Sequence, residues 1–167
     1  MSYKLSLNQA VLDNKGRTDE FFEILRHVVC SEISKRYGNS IFHNQDLIED
    51  MQSAAAESTL IAMNNYDSSK GTFLSYAYSF IVGAIHKEYC LQIFGLTVYY
   101  AKKLQQISDI LCEYYNTNDS QLLYSRLDEH KIRKHTILSL YNNNKLDIKE
   151  TNICISILKE YHPQNKL

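Results

Sequence analysis

The stretch DLIEDMQSAAAESTLIAMNNYDSSKGTFLSYAYSFIVGAI, residues 46–85, decides the fold of this chain. Its first half has an alanine-rich middle and is a strong helix former. Its second half places apolar and aromatic residues at helical spacing. The polar turn DSSKG (67–71) separates the two halves. The pattern therefore predicts one helix from about residues 44–46 to about 65, and another that begins near Thr72.

Helical patterns also cover the rest of the chain. Thr18 and Asp19 are suited to begin a helix that ends near Gly38, because apolar residues recur at helical spacing between them. The chain is predicted to bend or break near Gly95. Beyond that glycine, further helices are predicted over residues 97–115, 119–127, 129–141 and 146–161.

The composition of the chain agrees with a folded, helical protein. Its 167 residues are 44% hydrophobic, which is enough to bury a core. One proline and five glycines are too few for the frequent turns of an all-β fold. We therefore predict an all-α fold with two helical units, residues 1–95 and the smaller 96–167. Residues 1–17 are expected to be a loose leader.

Charge and hydropathy bear on where the protein acts. The formal net charge is −1, so any contact with nucleic acid must come from a local basic patch. No apolar run approaches the length that spans a bilayer, and the start of the chain lacks the apolar core of a signal peptide. The four cysteines are far apart, which indicates reduced thiols. We expect a cytoplasmic protein without a membrane partner.

Motifs for catalysis or metal binding are missing from the sequence. It contains no phosphate-binding loop, no nucleophile elbow and no zinc-protease signature. Glu49 and Asp50 are adjacent, so their side chains point about 100° apart on a helix and do not form a facing pair. His130 and His135 are five apart in sequence and do not share a helix face. We expect no enzymatic activity, no metal and no cofactor.

The aromatic residues of the predicted third helix have two interpretations. They form the core, or they form a surface that stacks on a flat partner. Tyr76 and Tyr78 differ by about 200° around a helix, so they cannot both face the same side. Phe73 is expected in the core and Phe80 fits either side. Tyr76 and Tyr78 are therefore the better candidates for an outward surface.

Taken in order, these segments resemble region 2 of the sigma-70 family of bacterial transcription initiation factors. The chain is most similar to the short late-transcription sigma factors of large tailed phages. The resemblance covers about residues 20–95. The matching residues are Asp46-Leu47-Ile48-Glu49-Asp50, Tyr66-Asp67, Lys70-Gly71, Phe73, Tyr76-Ala77, Phe80-Ile81 and Ala84-Ile85.

The resemblance implies that the second predicted helix docks on the clamp helices of the β′ subunit in core RNA polymerase. Two registers are open, because the distance from the acidic motif to the turn is about one helical turn longer than in the family. One register uses Asp46, Glu49, Asp50 and Gln52. The other, counted back from Tyr66, uses Asp50, Ser53 and Glu57.

The resemblance also implies that the third helix opens promoter DNA and holds the single-stranded, non-template bases of an A·T-rich −10-like element. Aromatic side chains would trap flipped bases by stacking. The residues implied in base or duplex contact are Phe73, Tyr76, Tyr78, Ser79, Phe80, Gly83, His86 and Lys87. Backbone phosphate contacts are implied for Lys102 and Lys103. No reader of a −35 element is evident, which implies a co-activator or an extended −10 sequence.

Departures from the family pattern keep two other functions open. Ser79 and Phe80 stand where the family often has two tryptophans, and Val82 stands where it often has arginine. Lys87 is the one formal cation between Gly71 and Ala101. The first alternative is a sigma-like protein that occupies polymerase, as an inhibitor or appropriator, without reading DNA. The second is an unrelated all-α interaction protein whose aromatic residues are core.

Overall fold

Helices are the regular secondary structure of the chain in the computed structural model, which describes residues 3–12 and 18–161. No strand occurs in these ranges, so the all-α prediction is confirmed. Short 3₁₀ turns cover Asn39–His43 and Ser68–Lys70. The helices are α1 (Tyr3–Leu12), α2 (Asp19–Tyr37), α3 (Gln45–Asn64), α4 (Phe73–Phe94), α5 (Val98–Thr117), α6 (Ser120–Glu129), α7 (Lys134–Asn142) and α8 (Ile148–Tyr161).

Side-chain caps set the starts of the helices in the first half of the chain. The Thr18 hydroxyl accepts a hydrogen bond from the Phe21 amide, and the Asn44 side chain accepts one from Leu47. Thr72 caps α4 in the same way. These bonds satisfy amides that have no partner inside the helix, which explains why the predicted starts are confirmed to within a residue or two.

The described residues form two compact units that divide after Gly95. This glycine ends α4 in the left-handed conformation, with φ of 61°, which glycine adopts without a steric penalty. In the first unit α3 and α4 pack side by side, and α1 and α2 pack against them. Its largest fully buried side chains are Leu7, Phe21, Leu25, Ile33, Met51, Phe73, Ile81 and Ile85.

The prediction of a loose leader over residues 1–17 is wrong for α1. Leu7 and Ala10 of this helix are buried in the core of the first unit. The Asn8 side chain accepts a hydrogen bond of 2.8 Å from the backbone amide of Leu74, in the first turn of α4. The sequence pattern missed α1 because the helix is stabilised by packing against α2 and α4, and α4 is distant in sequence. Residues 1–2 and 13–17 of the predicted leader lie outside the described ranges.

Asn8→Ala is expected to lower the free energy of unfolding by about 1 kcal/mol, because it removes one of the caps of α4. Urea unfolding followed by circular dichroism measures the change. Asn8→Asp keeps an oxygen acceptor at the positive end of α4 and should unfold like the wild type. Equal stability of wild type and Asn8→Ala would contradict the role of α1 in capping α4.

The second unit contains α5 to α8 and has its own core. An Asp147–Glu150 capping box precedes α8, with the Glu150 amide 2.7 Å from the Asp147 carboxylate. The fully buried hydrophobic side chains of the second unit include Ile107, Leu127, Ile132, Ile137, Leu140 and Cys154.

No helix within the described residues of either unit is long and apolar enough to cross a membrane.

Candidate functional site

The outer side of α3 carries a continuous acidic face. Glu49 accepts a hydrogen bond from Gln45 at 2.7 Å, and Asp50 accepts one from Gln92 at 3.0 Å. Its four carboxylates form no ion pair with any other described residue. Negative charge is therefore left available to a basic partner. The acidic face consists of the exposed residues Asp46, Glu49, Asp50, Ser53 and Glu57.

The acidic face contains members of both predicted docking registers. Asp46 and Glu57 are separated by about three helical turns, so their side chains point within roughly 20° of each other. Gln52 is the exception, because it is half-buried and donates a hydrogen bond of 3.2 Å to the Cys30 sulfur on α2. The two registers thus describe one surface, from which Gln52 is turned away.

Three half-exposed rings form an aromatic cluster, with Tyr66 in the turn before α4 and Tyr76 and Phe80 in the first half of α4. The ring centroids of Tyr66 and Tyr76 lie 5.9 Å apart, and those of Tyr76 and Phe80 lie 5.6 Å apart. The Tyr66 hydroxyl donates a 2.6 Å hydrogen bond to the Gly71 carbonyl, which fixes the ring on the turn. Phe73 is 1% exposed and supports Tyr66 from the core, so its own ring is not accessible to a base.

An open pocket of about 470 Å³ adjoins the aromatic cluster at the turn between α3 and α4. Its volume lies in the range of small-ligand sites. Tyr66 and Tyr76 contribute two of its walls. The Lys70 ammonium pairs with the Asp67 carboxylate at 3.3 Å and is exposed at the same turn. The remaining lining residues are Asn65, Gly71, Thr72 and Ser75.

Tyr78 lies on the other flank of α4 and is bound to α2. Its hydroxyl donates to the Glu32 carboxylate at 3.0 Å and accepts from the Arg36 guanidinium at 3.2 Å. Glu32 is 4% exposed and also pairs with Lys35 at 2.8 Å. Burial alone would raise the pKa of Glu32, but the hydrogen bonds from Lys35 and Tyr78 and the nearby positive charges hold it below its ordinary value.

Glu32→Gln is expected to lower the free energy of unfolding at pH 7 by roughly 1–3 kcal/mol, because it removes a buried charge that receives two hydrogen bonds. The folded-state pKa of Glu32 is lowered, so its contribution is complete above the ordinary pKa of 4.5 and is lost as the pH falls through the lower folded value. Urea unfolding at several pH values should show the difference between wild type and Glu32→Gln shrinking below that range. The exposed Glu23→Gln on the same helix is the control, and a difference that persisted unchanged in acid would refute the linkage.

An exposed ridge of residues four apart, Ser79, Gly83 and Lys87, starts between these two flanks and continues along α4 beyond the aromatic cluster. A side chain added at Gly83 would meet no atom within 4 Å, so packing does not require glycine there. His86 borders the ridge and is held by α2, with its Nδ1 3.0 Å from the Tyr37 hydroxyl. Burial raises the pKa of Tyr37 to about 12.

Lys102 and Lys103 belong to the second unit and differ in their surroundings. Lys102 is exposed on α5. The Lys103 ammonium donates to the His130 carbonyl and lies 5.7 Å from the centroid of the Tyr99 ring. Of the two lysines predicted to contact phosphates, Lys103 is thus already held by contacts within its own unit.

Tyr66, Arg36 and Glu32 are site residues that the sequence interpretation did not include. Tyr66 belongs to the Tyr66-Asp67 pair that matches the sigma-70 family, and its place two residues before the 3₁₀ turn could have suggested a ring beside Tyr76. Arg36 gave no such signal, because it lies 42 residues before Tyr78 and meets it only through the packing of α2 on α4.

No protein-family model, no curated protein and no solved structure matches this chain. The acidic face of α3 and the aromatic cluster with its pocket are therefore the features that bear on function. No group of three or more potential metal ligands occurs in the part of the chain that the structure describes.

Proposed function

We propose that this protein is a sigma-type initiation factor that directs bacterial RNA polymerase to promoters by melting an A·T-rich −10-like element. The observation that carries the proposal is the aromatic cluster and its adjoining pocket at the start of α4. Rings that are half-exposed and mutually supported offer stacking faces for unpaired bases. Such a protein acts in the cytoplasm, with the nucleoid-bound polymerase.

Polymerase docking is assigned to the acidic face of α3. Its carboxylates have no cationic partner among the described residues, and the buried residues of α3 lie on the opposite side of the helix. A rigid helix with one acidic face complements a basic helical partner such as the β′ clamp helices, and complementary charge favours encounter in one orientation.

DNA opening is assigned to α4. Stacking of a base on an aromatic side chain contributes roughly 1–3 kcal/mol, and it tolerates any base. A·T-rich DNA contains the flexible steps that unstack most easily, which suits a site that relies on stacking. Since phosphate contacts dominate affinity for DNA, a helix with one formal cation needs polymerase to hold it on the promoter.

One observation favours a second function, in which the protein binds polymerase without reading DNA. Tyr78, one of the four rings expected to contact bases, uses its hydroxyl within the fold, and Phe73 is buried. An inhibitor or appropriator would need the acidic face and not the aromatic cluster. An unrelated helical interaction protein would need neither surface to contact polymerase.

Reconstitution with purified core polymerase separates these three functions. The measurements are binding of the fluorescently labelled protein to core and run-off transcription from a promoter with an A·T-rich −10 box. The sigma function predicts binding together with a new transcript. Binding without a transcript, with or without a co-activator extract, supports the second function. Absence of binding to core at micromolar concentration overturns both.

A further inference from the structure

The cations that α4 lacks are present on α2. Lys35 and Arg36 lie at the C-terminal end of α2, where the packing of this helix brings them beside Tyr78. Lys35 is neutralised by Glu32 at 2.8 Å. Arg36 is exposed and forms no ion pair with a carboxylate of the described residues. Its guanidinium has several N–H donors, and the Tyr78 hydroxyl takes one of them.

The hydrogen bonds around Tyr78 give Arg36 a fixed position. The Tyr78 hydroxyl donates its hydrogen bond to the buried Glu32 carboxylate, so the lone pairs of the phenolic oxygen are left to face the guanidinium. A side chain that is anchored in this way loses less freedom on binding a ligand than a free surface arginine does. The planar, permanently charged guanidinium is also the side-chain group best matched to a phosphate.

The placement of Arg36 relative to the aromatic cluster suits a single DNA strand. Tyr76 and Tyr78 diverge by about 200° on α4, so the cluster and Arg36 lie on opposite flanks of the ridge, roughly one helix diameter of 10 Å apart. The exposed residue between them around the helix is Ser79, whose small side chain keeps the ridge low at that point. A strand along α4 can therefore stack bases on one flank while its backbone follows the other.

We propose that Arg36 contacts a backbone phosphate of the single-stranded DNA on α4, and that Tyr78 and Glu32 are its positioning residues. This inference rests on the proposed function and adds the phosphate contact that α4 itself does not provide. Tyr78 then positions Arg36, and this role replaces the base-stacking role expected from the sequence.

The test uses the full-length protein bound to core polymerase and a short A·T-rich single-stranded oligonucleotide, with binding followed by fluorescence anisotropy. In a matched series, each phosphate in turn is replaced by an uncharged methylphosphonate. The wild-type complex should lose about 5- to 10-fold in affinity at one or two positions, as expected for loss of a charge-assisted contact. Arg36→Ala should bind the unmodified strand with that same loss and should be insensitive to the substitution at those positions.

Salt dependence and control variants separate a phosphate contact from a structural effect. Arg36→Ala should lower the log–log salt slope by about 0.7, the value for one phosphate contact with a single strand. Tyr78→Phe keeps the ring and leaves the charge of Arg36 unchanged, but it removes the hydroxyl that holds Arg36. This variant should therefore be less sensitive than the wild type to methylphosphonate at those positions. Arg26→Ala, an exposed arginine of the same helix, should behave like the wild type in every assay.

Two results overturn this inference in different ways. If the wild-type complex binds the oligonucleotide and Arg36→Ala matches it in affinity, salt slope and phosphate sensitivity, the role of Arg36 is wrong and the sigma function stands. If the wild-type protein binds core polymerase but the complex binds no single-stranded DNA, the sigma function and the role of Arg36 both fail.

Discussion

Asp50→Arg is expected to lower the affinity of this protein for core RNA polymerase about 30-fold or more, which corresponds to roughly 2 kcal/mol or more. Asp50 is common to both docking registers and lies near the middle of the acidic face. Its only polar contact among the described residues is the hydrogen bond from Gln92, so reversing its charge should leave the fold intact. Titration of labelled protein with core polymerase measures the loss, and circular dichroism checks the fold.

Asp109→Arg is the matched control for this charge reversal. Asp109 is an exposed carboxylate on α5 in the second unit. It accepts a hydrogen bond of 3.0 Å from Gln105, four residues earlier, and Glu49 on α3 accepts one of 2.7 Å from Gln45 at the same spacing. The Asp109→Arg variant should bind core polymerase like the wild type. Equal losses for Asp50→Arg and Asp109→Arg would indicate a response to net charge, and no loss for Asp50→Arg would refute docking through α3.

Tyr76→Ala is expected to reduce promoter opening about 5- to 150-fold while leaving core binding unchanged, because it removes a stacking face worth roughly 1–3 kcal/mol per base. Tyr76 lies between Tyr66 and Phe80 in the aromatic cluster and lines the adjoining pocket. The Tyr76 side chain is 39% exposed, so its removal leaves no closed cavity. Stopped-flow fluorescence of 2-aminopurine in the −10 box reports the opening step.

Three further variants show whether stacking is what was lost. Tyr76→Phe keeps the ring and should open promoters like the wild type. Tyr115→Ala removes a ring that is 51% exposed in the second unit and should have no effect. Phe73→Ala, by contrast, should destabilise the fold by about 3–5 kcal/mol, since Phe73 fills the core. Loss of core binding by Tyr76→Ala would show damage to the fold and remove the support for base trapping.

The positions of α2, α3 and α4 could be predicted from the sequence because local chemistry decides them, whereas α1 was missed and α7 begins at Lys134, five residues after its predicted start. Thr18, Asn44 and Thr72 are side-chain caps, and Gly95 supplies a left-handed residue, so each boundary is set by neighbours in the chain. The placement of Phe73 in the core and the outward positions of Tyr76 and Tyr78 followed from helical geometry in the same way.

The contacts of the site could not be read from the sequence because packing between distant helices decides them. α1 is held by the Asn8–Leu74 hydrogen bond, and Tyr78 by Glu32 and Arg36, all across long separations in the chain. The sequence of α4 shows correctly that this helix carries few cations. That Arg36 of α2 lies beside α4 could not be predicted, because only the folded unit brings the two helices together.

Permanganate reactivity of thymines in a duplex promoter tests the central claim most directly. The promoter carries an A·T-rich −10 box and is incubated with core polymerase alone, with this protein alone, and with both. The sigma function predicts reactive thymines within the −10 box only when both proteins are present, and their loss with Tyr76→Ala. A complex that contains polymerase, this protein and promoter but leaves every −10 thymine unreactive would contradict it.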